Sequence, residues 1–300
     1  MDWTNGKPGK GRAAVRRCVC GAGFPMKYIL NSEWNRLWKR KTTWVAFLSI
    51  PVLLLAAASY LNTQNAAVNP DLAQYTVAWN FPVLGLSEML FTAFQGVILL
   101  LVSLSVTEEY QSGQLRMVLI RSFSFSQVMT AKYIVAIGAM FMYFILYFIC
   151  SHIIGFVFFE KPDEYMRFYY SVPVSVAEGI SYNVAFYGLA FLTMIVMITV
   201  FFLLAVISRT TTTALGAGVG FLLLSFTYPQ ILNFFQELIN EGTYMRIFFT
   251  SIPMIQWEGL TLMLSENKEW LYWNLLILFM YMVPLISLLY FICRRKNAFI

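Results

Sequence analysis

The chain has 300 residues, of which 59% are hydrophobic and only 12% are charged, and its mean hydropathy is +0.66. Soluble domains carry about 25% charged residues, so this composition argues against a soluble enzyme or a soluble binding module. The net charge of +6 would suggest nucleic acid as a partner of a soluble protein. Here the basic residues lie beside long apolar runs, so they indicate membrane orientation, and we expect no nucleic-acid partner.

Residues 1–25 differ from the rest of the chain, because they hold five glycines, five Lys or Arg and no apolar run. The run Gly6–Ala13 is similar to a phosphate-binding loop, but Arg12 and Ala13 stand where that loop needs Lys and a hydroxyl residue. We expect this stretch to be a disordered basic tail, or upstream sequence before a start at Met26.

A basic amphipathic segment precedes the first long apolar run. Leu30, Trp34, Leu37 and Trp38 recur at intervals of one turn, and Lys, Arg and Asn fill much of the remaining surface. This pattern over Met26–Lys41 predicts a helix that lies in the headgroup layer at the inner membrane face.

Six apolar runs within residues 26–300 are long enough to cross a bilayer as helices, since a span needs about 20 residues. We therefore expect an all-α, polytopic membrane protein with six transmembrane helices in one membrane domain. The predicted spans are Trp44–Tyr60, Val83–Val106, Tyr133–Phe159, Ala185–Ile207, Ala214–Leu232 and Trp270–Cys293.

The interval Asn233–Glu269 is too long for a simple turn between the last two spans. It alternates short apolar clusters with Glu237, Glu241, Arg246 and Glu258, and no cluster is long enough to span. The pattern predicts short re-entrant or interfacial helices on the outer face.

The distribution of Lys and Arg predicts the orientation. With both termini inside, the inner segments hold 17 of the 21 Lys and Arg residues and the outer loops hold four. The positive-inside rule therefore favours a multi-pass protein of the cell membrane with both termini in the cytoplasm.

Two acidic or basic side chains fall inside the predicted spans, Glu88 and His152, and both are candidates for the substrate path. Glu88 lies 18 residues before Val106, about 27 Å along a helix, which is close to the outer boundary. A carboxylate at the interface, in contact with water, is the interpretation that we favour for Glu88. His152 is the only histidine, and a lone intramembrane His is more often a hydrogen-bonding group between helices than a metal ligand.

No catalytic pattern is present in the sequence. There is no Ser-His-Asp set, no H-E-x-x-H and no Walker A motif, and the four cysteines lack the spacing of a metal site. We expect no catalytic residue, no bound cofactor and no metal. Few charges lie inside the spans to carry protons or sodium, so energy must enter from outside the bilayer.

The polar interval Thr107–Lys132, between the second and third spans, carries a recognisable pattern. It reads Glu109-Tyr110-x-x-Gly113-x-Leu115-Arg116, followed by Leu119, Ser124 and Lys132. This pattern resembles the first cytoplasmic loop of the type-2 exporter permeases of the ABC transporter superfamily. Ser122, Phe125 and Ala131 depart from the Pro, Arg and Gly that this family often has at those positions.

The resemblance implies that Gln111–Ile120 forms a coupling helix, which docks in a groove of a cytoplasmic ABC ATPase. It also implies a dimer of permeases, either homodimer or heterodimer, with ATP bound by the partner subunit. Glu109, Gly113 and Arg116 lie at i, i+4 and i+7, on one stripe of such a helix. The predicted ATPase-coupling residues are Glu108, Glu109, Tyr110, Gly113, Leu115, Arg116 and Leu119.

Two other functions stay open from the sequence. One is an ion-gradient-driven secondary transporter or channel, and the other is a membrane-embedded enzyme, for which the reactive groups are missing. The aromatic, uncharged spans favour an amphipathic or apolar cargo, and the resemblance points to efflux of a drug or peptide antibiotic, including self-immunity and antibiotic resistance.

Overall fold

The protein is a mostly helical bundle with six helices long and apolar enough to cross a membrane, counted within the described residues. This confirms the predicted all-α membrane protein. These helices, spans 1 to 6, are Lys41–Asn65, Phe81–Tyr110, Phe125–Phe158, Val176–Ile207, Thr211–Phe235 and Glu269–Arg295. The structure is a computed structural model that describes residues 26–70, 72–111, 124–170, 172–208 and 210–298. The predicted tail, residues 1–25, therefore lies outside the described residues.

Helix α1 covers Met26–Trp38 and precedes span 1, as the amphipathic pattern predicts. Its buried side chains are Ile29, Glu33 and Leu37, which recur every four residues and so form one stripe along the helix. Helix α1 packs against spans 1 and 3. An acid in the middle of a buried apolar stripe requires a partner, which the site below provides.

Span 2 is longer than predicted and contains a local change of helix type. It is α-helical over Phe81–Met89, forms a π-helical turn over Leu90–Phe94, and is α-helical again over Gln95–Gln111. The helix continues beyond the predicted end at Val106 because the charged residues that follow it are paired with other elements. A π-helical turn inserts one residue into the helix and is found frequently at functional sites.

Span 3 starts well before the predicted Tyr133, and its helix covers Phe125–Phe158. Ser124 caps this start, because its side chain accepts a hydrogen bond from the backbone N–H of Gln127 while the Gln127 side chain accepts one from the Ser124 backbone. Much of the predicted polar interval is therefore helical extension of spans 2 and 3. The remainder, residues 112–123, lies outside the described residues.

Span 4 is the centre of the bundle. Its helix covers Val176–Ile207, and 72% of its most apolar stretch is buried, against 11% for span 5 and 6% for span 6. It packs against spans 2, 3, 5 and 6. The helix begins nine residues before the predicted Ala185, because Ser175 and Glu178 form a reciprocal cap at its first turn.

We call the end of the bundle where span 2 stops and span 3 starts the proximal end, and the opposite end the distal end. The distal end holds a two-stranded antiparallel hairpin, Glu164–Tyr165 with Val174–Ser175, between spans 3 and 4. It also holds the short helices predicted between spans 5 and 6. They cover Asn233–Leu238, Glu241–Phe248, Ile252–Met254, Ile255–Gly259 and Leu260–Met263.

Candidate functional site

A buried lysine lies at the proximal end, between helix α1 and the adjoining ends of spans 2 and 3. The side chain of Lys132, on span 3, is 0% exposed. Its Nζ donates to Glu33 Oε2 of helix α1 at 2.6 Å and to Glu109 Oε1 of span 2 at 2.8 Å. One ammonium group therefore joins three separate elements of the fold.

Arg36 completes this group of charges. It forms an ion pair with Glu109 and lies 3.5 Å from Glu33 Oε1, one turn back on the same helix. The two acids and two bases balance to zero net charge. We call Glu33, Arg36, Glu109 and Lys132 the charge cluster.

A second ion pair lies at the rim of the charge cluster. Arg40 Nη1 is 3.2 Å from Glu108 Oε2, and the Glu108 side chain is 49% exposed. This pair joins the residue before span 1 to the last turns of span 2. Because Glu108 is in contact with solvent or headgroups, we expect the pair to contribute little to stability.

Apolar packing beside the charge cluster holds helix α1 on span 3. Leu37 is buried against Val135 and Ala139, and the indole rings of Trp34 and Trp38 meet edge to face at 5.9 Å between centroids. This packing excludes water from Lys132. Removing charges from water costs several kcal/mol for each ion, and only close partners repay that cost.

The charge cluster joins the end of span 2 to the start of span 3. Glu109 is on the last turn of span 2, and Lys132 is on the second turn of span 3. Their ion pair holds those helix ends together, and Glu33 and Arg36 attach both to helix α1. The cluster is therefore an ionic junction between three elements of the fold.

The predicted coupling residues fall into two groups. Glu108, Glu109 and Tyr110 are on the last turns of span 2, whereas Gly113, Leu115, Arg116 and Leu119 lie outside the described residues. Glu109 is 2% exposed, so its carboxylate faces the charge cluster and not a surface open to a partner protein. The Tyr110 ring packs against Phe125, at 6.4 Å between centroids.

The two substrate-path candidates lie on separate spans. Glu88 is exposed and lies on span 2 just before the π-helical turn. The ring of His152, on span 3, lies 4.4 Å from that of Phe148, and its Nδ1 is 2.9 Å from the Phe148 carbonyl oxygen. That contact within one helix turn fits a structural histidine. No hydrogen bond or ion pair joins Glu88 to His152 in the part of the chain that the structure describes.

A polar contact lies at the middle of span 2, in the interior of the bundle. Gln95 Nε2 donates to Gln256 Oε1 at 2.5 Å, and Gln256 Nε2 donates to Thr193 Oγ1 of span 4 at 3.0 Å. All three side chains are buried. Gln95 directly follows the π-helical turn of span 2, and Gln256 is in the π-helical turn Ile255–Gly259, so the short distal helices re-enter the bundle and contact the middle of span 2.

Several of these residues were not identified as site residues from the sequence. Glu33 had a signal, since it occupies the buried stripe of Ile29 and Leu37. Gln95 and Gln256 are isolated amides in apolar surroundings, which is a weaker signal. The described residues contain no group of three or more His, Cys, Asp or Glu that could hold a metal ion.

The fold defines an integral membrane protein with a buried ionic junction at one end. Comparison with protein families then identifies it further: the model described as ABC-2 family transporter protein matches residues 29–196. The match covers more than half of the chain, so the chain belongs to the ABC-2 family of transporter proteins, which confirms the resemblance. It is a membrane permease of an ABC transporter and not the catalytic subunit. The matched region contains the whole charge cluster. No curated protein matches the chain.

Proposed function

We propose that this chain is the membrane-spanning subunit of an ATP-driven exporter, and that a separate cytoplasmic ABC ATPase binds the predicted coupling helix Gln111–Ile120 and the coupling residues beside it. The observation that supports this most strongly is the charge cluster. It makes one junction of helix α1, the end of span 2 and the start of span 3. A force applied to the segment between Glu109 and Lys132 then moves two spans and helix α1 together.

The proximal end is proposed to face the cytoplasm. This orientation follows from the 17 of 21 Lys and Arg residues that fall in the inner segments under the six-span arrangement. Cysteines introduced at Ser112 and Asn267 should react with an impermeant thiol reagent from opposite sides of the membrane. Labelling of both from the same side would contradict the orientation.

The cargo is proposed to be an amphipathic molecule, such as a drug or a peptide antibiotic, moved out of the cell. The support is the apolar, aromatic character of the spans and the scarcity of charge inside them. A strongly charged cargo would need partners within the bilayer, and Glu88 is the only acid inside the predicted spans.

A dimer of permeases is proposed, with span 5 at the contact between the two copies. Only 11% of the most apolar stretch of span 5 is buried, and added Cβ atoms at Gly216 and Gly220 would meet nothing within 4 Å. Small residues four apart allow close approach of a second helix. In a chain with its native cysteines replaced by alanine, Gly216→Cys should form a disulfide-linked dimer, and Val283→Cys on span 6 should not.

The ATPase contact is tested by photo-crosslinking in native membranes. A photoreactive amino acid is placed at Leu119, and a matched one at Leu72, which is exposed in the connection between spans 1 and 2. Position 119 should capture a protein that carries a Walker A motif, and position 72 should not. Capture of such a protein from neither position, or from position 72 alone, would contradict the proposed coupling segment.

The energy source is tested separately with the reconstituted complex. Transport into inside-out vesicles should require ATP and persist when ionophores collapse the proton and sodium gradients. Transport that stops with the gradients and needs no ATP would favour the ion-driven alternative.

A further inference from the structure

A groove lies between helix α1 and span 3, beside the charge cluster but on another face of helix α1. Its cavity volume is about 470 Å³. It is lined by Lys27, Leu30, Asn31, Trp34, Ile134, Val135 and Gly138. None of these residues belongs to the charge cluster, so the groove needs an explanation of its own.

Two faces of helix α1 make different contacts. Lys27, Asn31 and Trp34 recur at i, i+4 and i+7 and face the groove, whereas Glu33 and Leu37 are on the buried stripe that faces the spans. The carboxylate of Glu33 is held by Lys132 and Arg36. Glu33, the acid of helix α1 nearest to the groove, is therefore paired inside the charge cluster and does not line the groove.

The groove is apolar over most of its length and polar where Lys27 and Asn31 line it. Leu30, Trp34 and Ile134 are among its apolar walls. The Trp34 ring packs closely against Gly138, because a Cβ added to that glycine would lie 3.3 Å from the ring. Gly138 is six residues beyond Lys132, so the groove extends about 9 Å deeper into the membrane than the charge cluster. A ligand that fits has one apolar chain and one polar head.

The charge at the polar end of the groove determines whether an anionic or a cationic headgroup fits there. Lys27 is exposed, and it forms no ion pair with any residue in the described part of the chain. Asn31 adds an amide that donates hydrogen bonds. An ammonium group at a membrane surface attracts anionic lipids, with an effect of about fivefold in binding for each basic residue.

We propose that this groove binds one anionic glycerophospholipid from the leaflet in which helix α1 lies. An acyl chain packs along Trp34, Leu30 and Ile134, and the headgroup phosphate accepts hydrogen bonds from Lys27 and Asn31. The bound lipid covers the groove face of helix α1 and so holds the helix on span 3 beside the charge cluster. This inference does not depend on the ATPase partner or on the direction of transport.

The test is native mass spectrometry of the full-length chain in detergent, titrated with phosphatidylglycerol and, separately, with phosphatidylcholine of the same acyl chains. We expect one phosphatidylglycerol to bind in preference to phosphatidylcholine. Lys27→Gln should weaken that binding about fivefold, and Asn31→Glu, which places a carboxylate beside the phosphate, should weaken it further. Phosphatidylcholine carries the same phosphate but no net charge, so each change should weaken its binding less than that of phosphatidylglycerol, and the preference between the two lipids should fall.

The matched control is Lys41→Gln, which removes an exposed lysine at the start of span 1, outside the groove. Its affinity for phosphatidylglycerol should stay close to that of the unchanged chain, because Lys41 lies outside the groove and does not contact the bound headgroup. Equal loss in Lys41→Gln and Lys27→Gln would overturn the proposal. Equal binding of the two lipids by the unchanged chain would also overturn it, since the groove would then hold ordinary bilayer lipid.

A second measurement locates the acyl chain. Phosphatidylglycerol with brominated acyl chains quenches nearby indoles, so the quenched fraction of tryptophan fluorescence should fall in Trp34→Phe and should not fall in Trp257→Phe, which removes an exposed indole of the short distal helices. An unchanged quenched fraction in Trp34→Phe would overturn the placement in the groove. A second copy of the chain or a peptide retained on the protein, with no lipid preference, would equally overturn it.

Discussion

Glu109 and Lys132 are 23 residues apart in sequence, yet Lys132 Nζ lies 2.8 Å from Glu109 Oε1. The contact joins the last turn of span 2 to the first turns of span 3 and so holds these two helix ends together. Spans 2 and 3 therefore stay close at this end while the ion pair is intact.

Removal of the buried ammonium group should destabilise the protein strongly. In Lys132→Met, Glu33 and Glu109 share Arg36 alone, and the cluster carries one uncompensated negative charge. Breaking a buried ion pair in this way costs about 3–5 kcal/mol. The measurement is thermal unfolding of the full-length chain in detergent, followed by loss of monodisperse protein.

The charge-balanced double variant Glu33→Gln with Lys132→Met should recover much of that loss. It leaves the ion pair of Arg36 with Glu109, and the cluster is again neutral. Lys41→Met, an exposed lysine at the same end, is the matched single control and should be near neutral. A double variant no more stable than Lys132→Met would mean that charge balance is not what matters at this site.

The two arginines that reach span 2 should differ in effect. Arg40→Gln breaks a pair with the 49% exposed Glu108 and should cost less than about 1 kcal/mol. Arg36→Gln leaves the buried Glu109 with Lys132 alone, which Glu109 shares with Glu33. We expect this change to destabilise the protein by about 2–3 kcal/mol. The loss is smaller than for Lys132→Met because the Arg36 side chain is 31% exposed. Unfolding measured at low and high salt separates them, since the pair with the half-exposed Glu108 is screened more than the pair with the buried Glu109. Equal costs for both arginines would contradict the burial argument.

The amide contact at the middle of span 2 should show strong coupling between its two partners. Gln95→Leu leaves Gln256 Oε1 without its donor, and an unsatisfied buried group costs about 1–3 kcal/mol. Gln95→Leu combined with Gln256→Leu removes both partners and should cost less than the sum of the single changes. A double-mutant cycle on thermal stability measures this difference, and strict additivity would show that the two amides do not interact.

Two glycines inside spans should respond in opposite ways to alanine. A Cβ on Gly155 would lie 2.9 Å from the carbonyl oxygen of Ala78, so Gly155→Ala must move the backbone, at a cost of about 1–3 kcal/mol. A Cβ on Gly188 would meet nothing within 4 Å, and alanine is the better helix former, so Gly188→Ala should be neutral or stabilising. Unfolding midpoints of the two variants provide the comparison. An unchanged unfolding midpoint in Gly155→Ala would mean that the backbone at Ala78, in the connection between spans 1 and 2, moves away at little cost.

Hydropathy predicts how many spans there are but not where their helices end. The run Val83–Val106 is the apolar part of span 2, and the helix continues to Gln111 because Thr107 donates to the Ser103 carbonyl oxygen and Glu109 is paired. Charged residues at a helix end can be hydrated by water or paired with another side chain, and a helix that pairs them can continue past its apolar run. Apolar composition alone therefore does not locate the end of the helix. The helix of span 3 likewise extends beyond the apolar run, since it begins at Phe125 and the run begins at Tyr133.

The charge cluster was only partly predictable for a related reason. Glu109 and Lys132 were in the pattern that resembled a known family, but Glu33 pairs with a lysine 99 residues away. No local rule connects residues so far apart, because their approach depends on how helix α1 packs on span 3. The π-helical turns around Gln95 and Gln256 likewise depend on packing between spans. What the sequence did contain was an acid on an apolar stripe, which requires a buried partner without specifying it.

The burial of span 4 has a consequence for how the protein senses its membrane. A helix surrounded by spans 2, 3, 5 and 6 has little contact with lipid, so a change in bilayer thickness does not act on it directly. Spans 5 and 6 are mostly open to their surroundings, so a mismatch with bilayer thickness acts first on those of their faces that contact lipid. If such a helix tilts, its crossing angle with span 4 changes, whereas span 4 is held by its four neighbours.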